Sequence, residues 1–210
     1  MMKELLYKEI KMQKGMMKKN IQYLVLVLGL NIFYYIIGTQ AIPFVIGIYS
    51  VMLVSMNAVV NSITMEKTNK MFEKLLTMYR VEKLIGAKLI IGIVTSSVIG
   101  CIFSIGNRVI LSIINKEQFD VKMQLLEIIL IILAAVFLSV LYALVYLGID
   151  NAMLCNYIVT PIVMVAMFVA IFINYIKEWQ LVVGGLVVLL LSFILFKLLG
   201  LIKPDKLTKE

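Results

Sequence analysis

Thr64 to Lys88 reads TMEKTNKMFEKLLTMYRVEKLIGAK and is the one long polar interruption in an otherwise apolar chain. Its six cations (Lys67, Lys70, Lys74, Arg80, Lys83, Lys88) and three carboxylates (Glu66, Glu73, Glu82) are too many charges for hydrocarbon, where each buried ion costs several kcal/mol. The stretch therefore belongs outside a bilayer, and the runs on either side of it belong inside. Within it, Phe72, Leu75, Leu76 and Tyr79 recur at steps of three, one and three, which puts them on one side of a helix while Glu73, Lys74 and Thr77 face elsewhere. The expectation is a short amphipathic helix in a loop between spans, the part of the chain that touches another protein. The plainer alternative is a loop whose apolar stripe rests on the lipid surface.

Working outward, composition agrees with a bilayer. Hydrophobic residues make up 62% of the chain and charged ones 15%, and the mean hydropathy is +1.03, beyond the roughly half-apolar usage of soluble domains. Apolar runs near the 20 residues needed to cross a 30 Å core predict six spans: Ile21 to Ile37, Ile42 to Ile63, Leu89 to Leu111, Leu125 to Ile149, Met153 to Tyr175 and Gln180 to Ile202. The expected fold is an all-α polytopic membrane protein, one transmembrane domain over residues 1–210. Residues 1–20 form an interfacial helix, 64–88 the polar loop and 203–210 a basic tail.

The first segment mixes Lys and Glu with Leu, unlike a signal peptide. At 100° per residue, Met2, Leu5, Leu6, Ile10, Met12, Met16 and Met17 share an arc of about 160° opposite Lys3, Lys8, Lys11, Lys14 and Lys18. Glu9 and Gln13 are the exceptions inside that arc. Such a helix is expected to lie along the inner leaflet.

Cation placement orients the array. With both termini cytoplasmic, 16 cations fall inside and four, Arg108, Lys116, Lys122 and Lys177, fall outside, as the positive-inside rule requires. The net charge of +8 thus reflects topology and anionic headgroups, and nucleic acid is not an expected partner.

Inside the spans, Gly92, Ser96, Gly100 and Ser104 repeat every four residues, a small-residue stripe that lets membrane helices approach closely. Asn31, Asn57, Asn61, Asn107, Asn156 and Thr160 need hydrogen bonds in hydrocarbon and are expected to face other helices or a wet path. Pro161 removes a backbone donor from the fifth span. Gly148 is placed to end the fourth span, and Asp150 or Asn151 to cap the fifth. Arg108, twenty residues beyond Lys88, stands about 30 Å along the helix, and Glu127 returns at similar depth. The two are expected to pair near the outer surface as an outer gate, or to reach separately for headgroups.

Catalytic and metal sites are not expected. The chain has no His, the commonest general base and metal ligand, and no G-x-x-x-x-G-K-[ST] phosphate loop. Cys101 and Cys155 are expected as free thiols.

Glu66, then Phe72-Glu73-Lys74-Leu75-Leu76, then Glu82 and Lys88 resemble the signature of the ABC-2 family of ABC transporter permeases. In that family a Glu ends the second span, an x-E-x-L-L segment forms a cytoplasmic coupling helix and a Lys begins the third span. This chain has Lys70-Met71 where Gly-Thr is usual and Tyr79 where a Pro follows, with one residue fewer before Lys88. The resemblance covers nearly the whole chain and implies the membrane subunit of an ABC exporter. It further implies a pair of permeases, two separate ATPase subunits that hold ATP and Mg, and transport by alternating access; the Met-rich, aliphatic composition, with 14 Met, suits amphipathic or apolar cargo. It assigns ATPase coupling to Glu66, Phe72, Glu73, Leu75, Leu76 and Tyr79, with Phe72 as the expected buried anchor in the ATPase groove. Two other classes stay open: a substrate-binding membrane subunit of an importer, and an intramembrane enzyme built on Arg108, Glu127 or Lys197.

Overall fold

The computed structural model describes residues 2–19, 42–115, 121–171 and 178–199. The expected first span at Ile21 to Ile37, Asn31, Lys116, Lys177 and the basic tail lie outside them. Among the described residues all regular structure is helical. Helix α1 is Met2–Lys19, and α2, Ile42–Ser55, runs through a π-helical segment, Met56–Asn61, into α3, Ser62–Thr68. The short α4, Met71–Met78, is followed by α5, Val81–Asn115, α6, Val121–Ile149, α7, Ala152–Ile171, and α8, Glu178–Leu199.

Three stretches are long and apolar enough to cross a membrane: Pro43–Thr68, Val81–Ile113 and Val121–Ile149, of 26, 33 and 29 residues. At 1.5 Å per residue they reach about 39, 50 and 44 Å, more than the hydrocarbon core requires. The apolar helices Ala152–Val165 and Val183–Leu199 are shorter. The protein is a helical membrane protein.

The span boundaries on either side of the polar stretch differ from expectation. Helical structure runs five residues past Ile63, and α5 starts at Val81 rather than Leu89. The polar stretch is therefore almost wholly helical. Its charges are accommodated by face: Glu82 and Lys83 are exposed, whereas Leu84, Ile85 and Ala87 are buried.

The core forms where α2, α5 and α6 cross. Gly92, Ser96, Gly100 and Ser104 all lie on the buried side of α5. A Cβ on Gly100 would stand 2.5 Å from Val51 Cγ2 and 2.9 Å from Ile131 Cγ2, and one on Gly47 would meet Ile131 Cδ1 at 2.6 Å. The backbones meet where side chains are missing, which maximises dispersion contact in a setting with little hydrophobic drive between helices. The opposite side of α5 exposes Ile90, Val94, Val98, Ile102, Val109 and Ile113, a row suited to lipid.

Candidate functional site

Two buried charge clusters stand at opposite ends of α5, twenty residues or about 30 Å apart, and a helical elbow adjoins the first.

At the first, Lys88 is fully buried. Its Nζ lies 2.9 Å from Glu9 Oε1 and 2.9 Å from Glu66 Oε2, and donates to Ser62 Oγ at 3.0 Å. Lys8 also pairs with Glu66 and lies 3.9 Å from Glu9. Two cations and two carboxylates from α1, α3 and α5 thus neutralise one another, the condition under which charge is tolerated out of water. Burial raises the Glu9 carboxyl above its ordinary range; Lys88 draws it part of the way back, Glu66 adds to the rise and Lys8 opposes it. One turn along α1, Gln13 Nε2 donates to Ala58 O, inside the π-helical segment, at 2.9 Å.

These contacts turn the centre of the apolar arc of α1 toward the rest of the chain. Leu5, Glu9 and Gln13, spaced by four, form its buried line, and Ile10 is exposed. The polar exceptions in the apolar arc are its docking residues. The signal was their position at the arc's centre, in register with Leu5.

The elbow comes next. Lys70 has φ 55°, a left-handed turn between α3 and α4, and Tyr79, extended at φ −134°, ψ 144°, ends α4. Lys67 pairs with Asp150 and sits 5.8 Å from the centroids of both Phe72 and Tyr146, while Thr64 Oγ1 donates to Tyr146 OH at 2.9 Å. Helix α6 ends at Ile149, the expected end of the fourth span, and the left-handed residue that closes it is Asp150, at φ 55°, rather than Gly148, which remains helical. Asn151 Oδ1 caps α7 by accepting from Met153 N at 3.0 Å and Leu154 N at 3.1 Å.

Phe72, expected as an anchor in a partner's groove, is packed into the chain's own core. Phe72 is 1% exposed and Leu75 9%, and Leu76 and Tyr79 pack against the same core. Glu66 is buried in the ion cluster. Of the six residues assigned to coupling, Glu73 is exposed, Leu76 and Tyr79 are half-buried, and Glu66, Phe72 and Leu75 are buried. The physical reason is that α4 spends its apolar stripe on closing the chain's own core, leaving Met71, Glu73, Lys74, Thr77 and Met78 outward.

At the far end of α5, Arg108 pairs with Glu127, whose other carboxylate oxygen is 3.5 Å from Ser104 Oγ. Glu127 is fully buried and Gln124, one turn before it on α6, is buried beside it in sequence. The structure thus brings Arg108 and Glu127 together.

The described span asparagines are hydrogen-bonded, and Asn107 is buried. Asn57 Nδ2 donates to Leu53 O at 2.9 Å, Asn107 Nδ2 to Phe103 O at 2.6 Å, and Asn61 pairs with Asn57. Thr160 donates to Asn156 at 3.1 Å. These bonds close within one helix, one turn apart, rather than joining helices. Pro161 lies inside a continuous α7, on an exposed side. Cys101 and Cys155 are free thiols, and among the described residues no group of His, Cys, Asp and Glu could hold a metal ion.

No protein-family model, no curated protein and no solved structure matches this chain. The class that its fold defines is a helical membrane protein with charge buried at both ends of one long helix.

Proposed function

We propose that the chain is the permease subunit of an ATP-driven exporter of the ABC-2 type. The observation that carries this reading is the meeting of Glu66 and Lys88 at 2.9 Å. These are the Glu and Lys that the family pattern places on either side of its coupling helix, and here they join across α4. The backbone adds support: Lys70, at the position where the family pattern has Gly, adopts the left-handed conformation that Gly takes most readily.

In this reading six spans cross the cell membrane with both termini cytoplasmic. Two such permeases pair, and each receives an ATPase subunit beneath α4. ATP and Mg belong to that partner. The ATPase contacts the outward face of α4, Met71, Glu73, Lys74 and Met78, instead of Phe72. Because Phe72 and Leu75 are packed inward and Lys67 holds Asp150, a push on α4 moves the adjoining ends of α3, α5 and α6 together. That displacement reaches the Glu66–Lys88 pair directly and travels along α5 toward Arg108 and Glu127, the proposed outer gate. The chain does no bond chemistry. Its role is to make different contacts with cargo and motor in two states, and its apolar, Met-rich spans suit amphipathic or apolar cargo such as a peptide, toxin, drug or lipid.

Photo-crosslinking tests this. A benzoylphenylalanine at position 74 or 78 of the full chain in cells is expected to capture a protein carrying a G-x-x-x-x-G-K-[ST] loop, and the purified assembly to hydrolyse ATP. The same group at position 72 should crosslink within the chain. Capture of lipid alone from positions 71, 74 and 78, with no ATPase in the purified assembly, would overturn the reading.

A further inference from the structure

The outward face of α1 has a use that the exporter reading does not supply. With Leu5, Glu9 and Gln13 turned into the protein, the exposed residues of α1 between positions 3 and 14 are Lys3, Glu4, Tyr7, Ile10, Lys11 and Lys14. They fall at the three- and four-residue steps of a single helical face. Tyr7 is 71% exposed and Ile10 54%, so an aromatic and a branched aliphatic side chain stand uncovered between three ammonium groups. Lys8 is excluded from this face because it is committed to Glu66.

A basic helix face is ordinarily just solvated, and two further observations argue otherwise here. First, α1 cannot roll to hide Tyr7 and Ile10. Its opposite side is fixed by Glu9 on Lys88 and, one turn along, by Gln13 on Ala58 O. Second, those contacts set its depth. Ile90, two residues or about 3 Å beyond Lys88, begins the exposed apolar row of α5. Glu9 is therefore held at the level where α5 enters hydrocarbon, the level of the headgroups, while Gln13, on Ala58 beside Gly92, sits about 6 Å deeper, a distance that long lysine side chains span by reaching back to the headgroups.

We propose that this face of α1 is a binding surface for anionic phospholipid headgroups. Lys3, Lys11 and Lys14 meet the phosphates, Tyr7 lies at the boundary that amphipathic rings prefer, and Ile10 reaches the upper acyl chains. Glu4, at the edge of the face, disfavours deeper insertion near the first turn. The bilayer thereby holds α1 from the side opposite the Glu9–Lys88 cluster, so the lipid charge of the leaflet influences how firmly α1 is seated. This proposal rests on the membrane assignment and on α1's contacts, and it stands or falls independently of any ATPase.

The test uses the full chain in nanodiscs, with Cys101→Ala and Cys155→Ala and a nitroxide on Tyr7→Cys. Neutral phosphatidylcholine is compared with the same lipid containing phosphatidylglycerol. The expected result is that phosphatidylglycerol lowers the label's accessibility to a water-soluble nickel relaxant several-fold, and that added salt reverses this by screening. Lys3→Gln, Lys11→Gln and Lys14→Gln combined should abolish the response while leaving the melting temperature in neutral nanodiscs unchanged, since none of the three touches the buried cluster. A second probe, the nitroxide at position 10 with Tyr7 intact, should respond in the same way. Equal accessibility in both lipids, a response that survives the triple Gln variant, or protection that appears only when a soluble protein is added would each overturn the proposal.

Discussion

The Lys88 end and the Arg108 end of α5 both bury charge, and they do so by different means. At the Lys88 end the cluster gathers groups far apart in the chain, Glu9 lying 79 residues from Lys88 and Lys8 lying 58 from Glu66. At the Arg108 end a single pair joins consecutive helices across 19 residues. The first is a tertiary fastening, which exists only once α1, α3 and α5 have come together. The second is a clasp on a helical hairpin that forms locally. Their exposures differ accordingly: the Lys88 side chain is 0% exposed and that of Arg108 18%, so one cluster depends entirely on its own partners while the other keeps access to its surroundings.

The largest effect should come from Lys88→Met. It leaves Glu9 and Glu66 buried with Lys8 as their remaining cation, and breaking a buried charge cluster on one side costs about 3–5 kcal/mol. Thermal unfolding in nanodiscs should show the loss, and adding Glu9→Gln and Glu66→Gln to that variant should recover most of it. Failure of the neutralising changes to recover stability would mean that Lys88 acts through packing of its stem rather than its charge.

Arg108→Met should cost less, about 2 kcal/mol, because it strands one buried carboxylate, Glu127, which keeps Ser104 as a neighbour, where Lys88→Met removes the shared partner of two. The double-mutant cycle with Glu127→Gln measures the pair directly. If the two changes simply add, the clasp is ornamental and the contrast between the ends becomes one of presence against absence of coupling.

What the sequence conveyed follows the same division. Arg108 and Glu127 could be matched because a helix has a fixed rise, so twenty residues out and a return give equal depth. The stripe of Gly92, Ser96, Gly100 and Ser104 was readable because small residues at a constant step mark one face. The Lys88 cluster was not readable as a cluster, since no local rule connects α1 to α5. Only the placement of Glu9 and Gln13 in the middle of an apolar arc hinted at it. Phe72 shows a different limit. Periodicity says which side chains share a face, and it is silent on whether that face meets the chain's own core or another molecule.

Acid titration separates the ends further. Burial raises the folded-state value for Glu9 above its ordinary 4.5, so the folded protein holds this proton more tightly than the unfolded one. The linkage sign is that stability falls as pH climbs from about 4.5 through the raised value. Melting temperature should therefore decline over that interval, and Glu9→Gln should flatten the decline. Lys8, Lys88 and Glu66 face the same carboxyl, and a decline that persists in Glu9→Gln would show that the Glu9 carboxyl is not its source.

The smallest effect expected is from Lys70→Gly, and it tells whether the elbow's backbone contributes to the Lys88 end separately from its charges. Lys70 holds φ 55°, a conformation that costs a residue with a Cβ about 1–2 kcal/mol. Glycine removes that strain but also makes the unfolded chain freer, which takes back about 0.4–1 kcal/mol. The balance is a net gain of about 0.5 kcal/mol, read as a rise in melting temperature. Lys70 is exposed and has no part in the Glu9–Glu66–Lys88 contacts. The gain should therefore add to the loss in Lys88→Met without interaction, as separate sites do. A gain that vanishes in the Lys88→Met background would mean that the left-handed turn is held in place by the buried cluster and relaxes when the cluster is broken. The elbow and the charges at that end of α5 would then be a single cooperative unit.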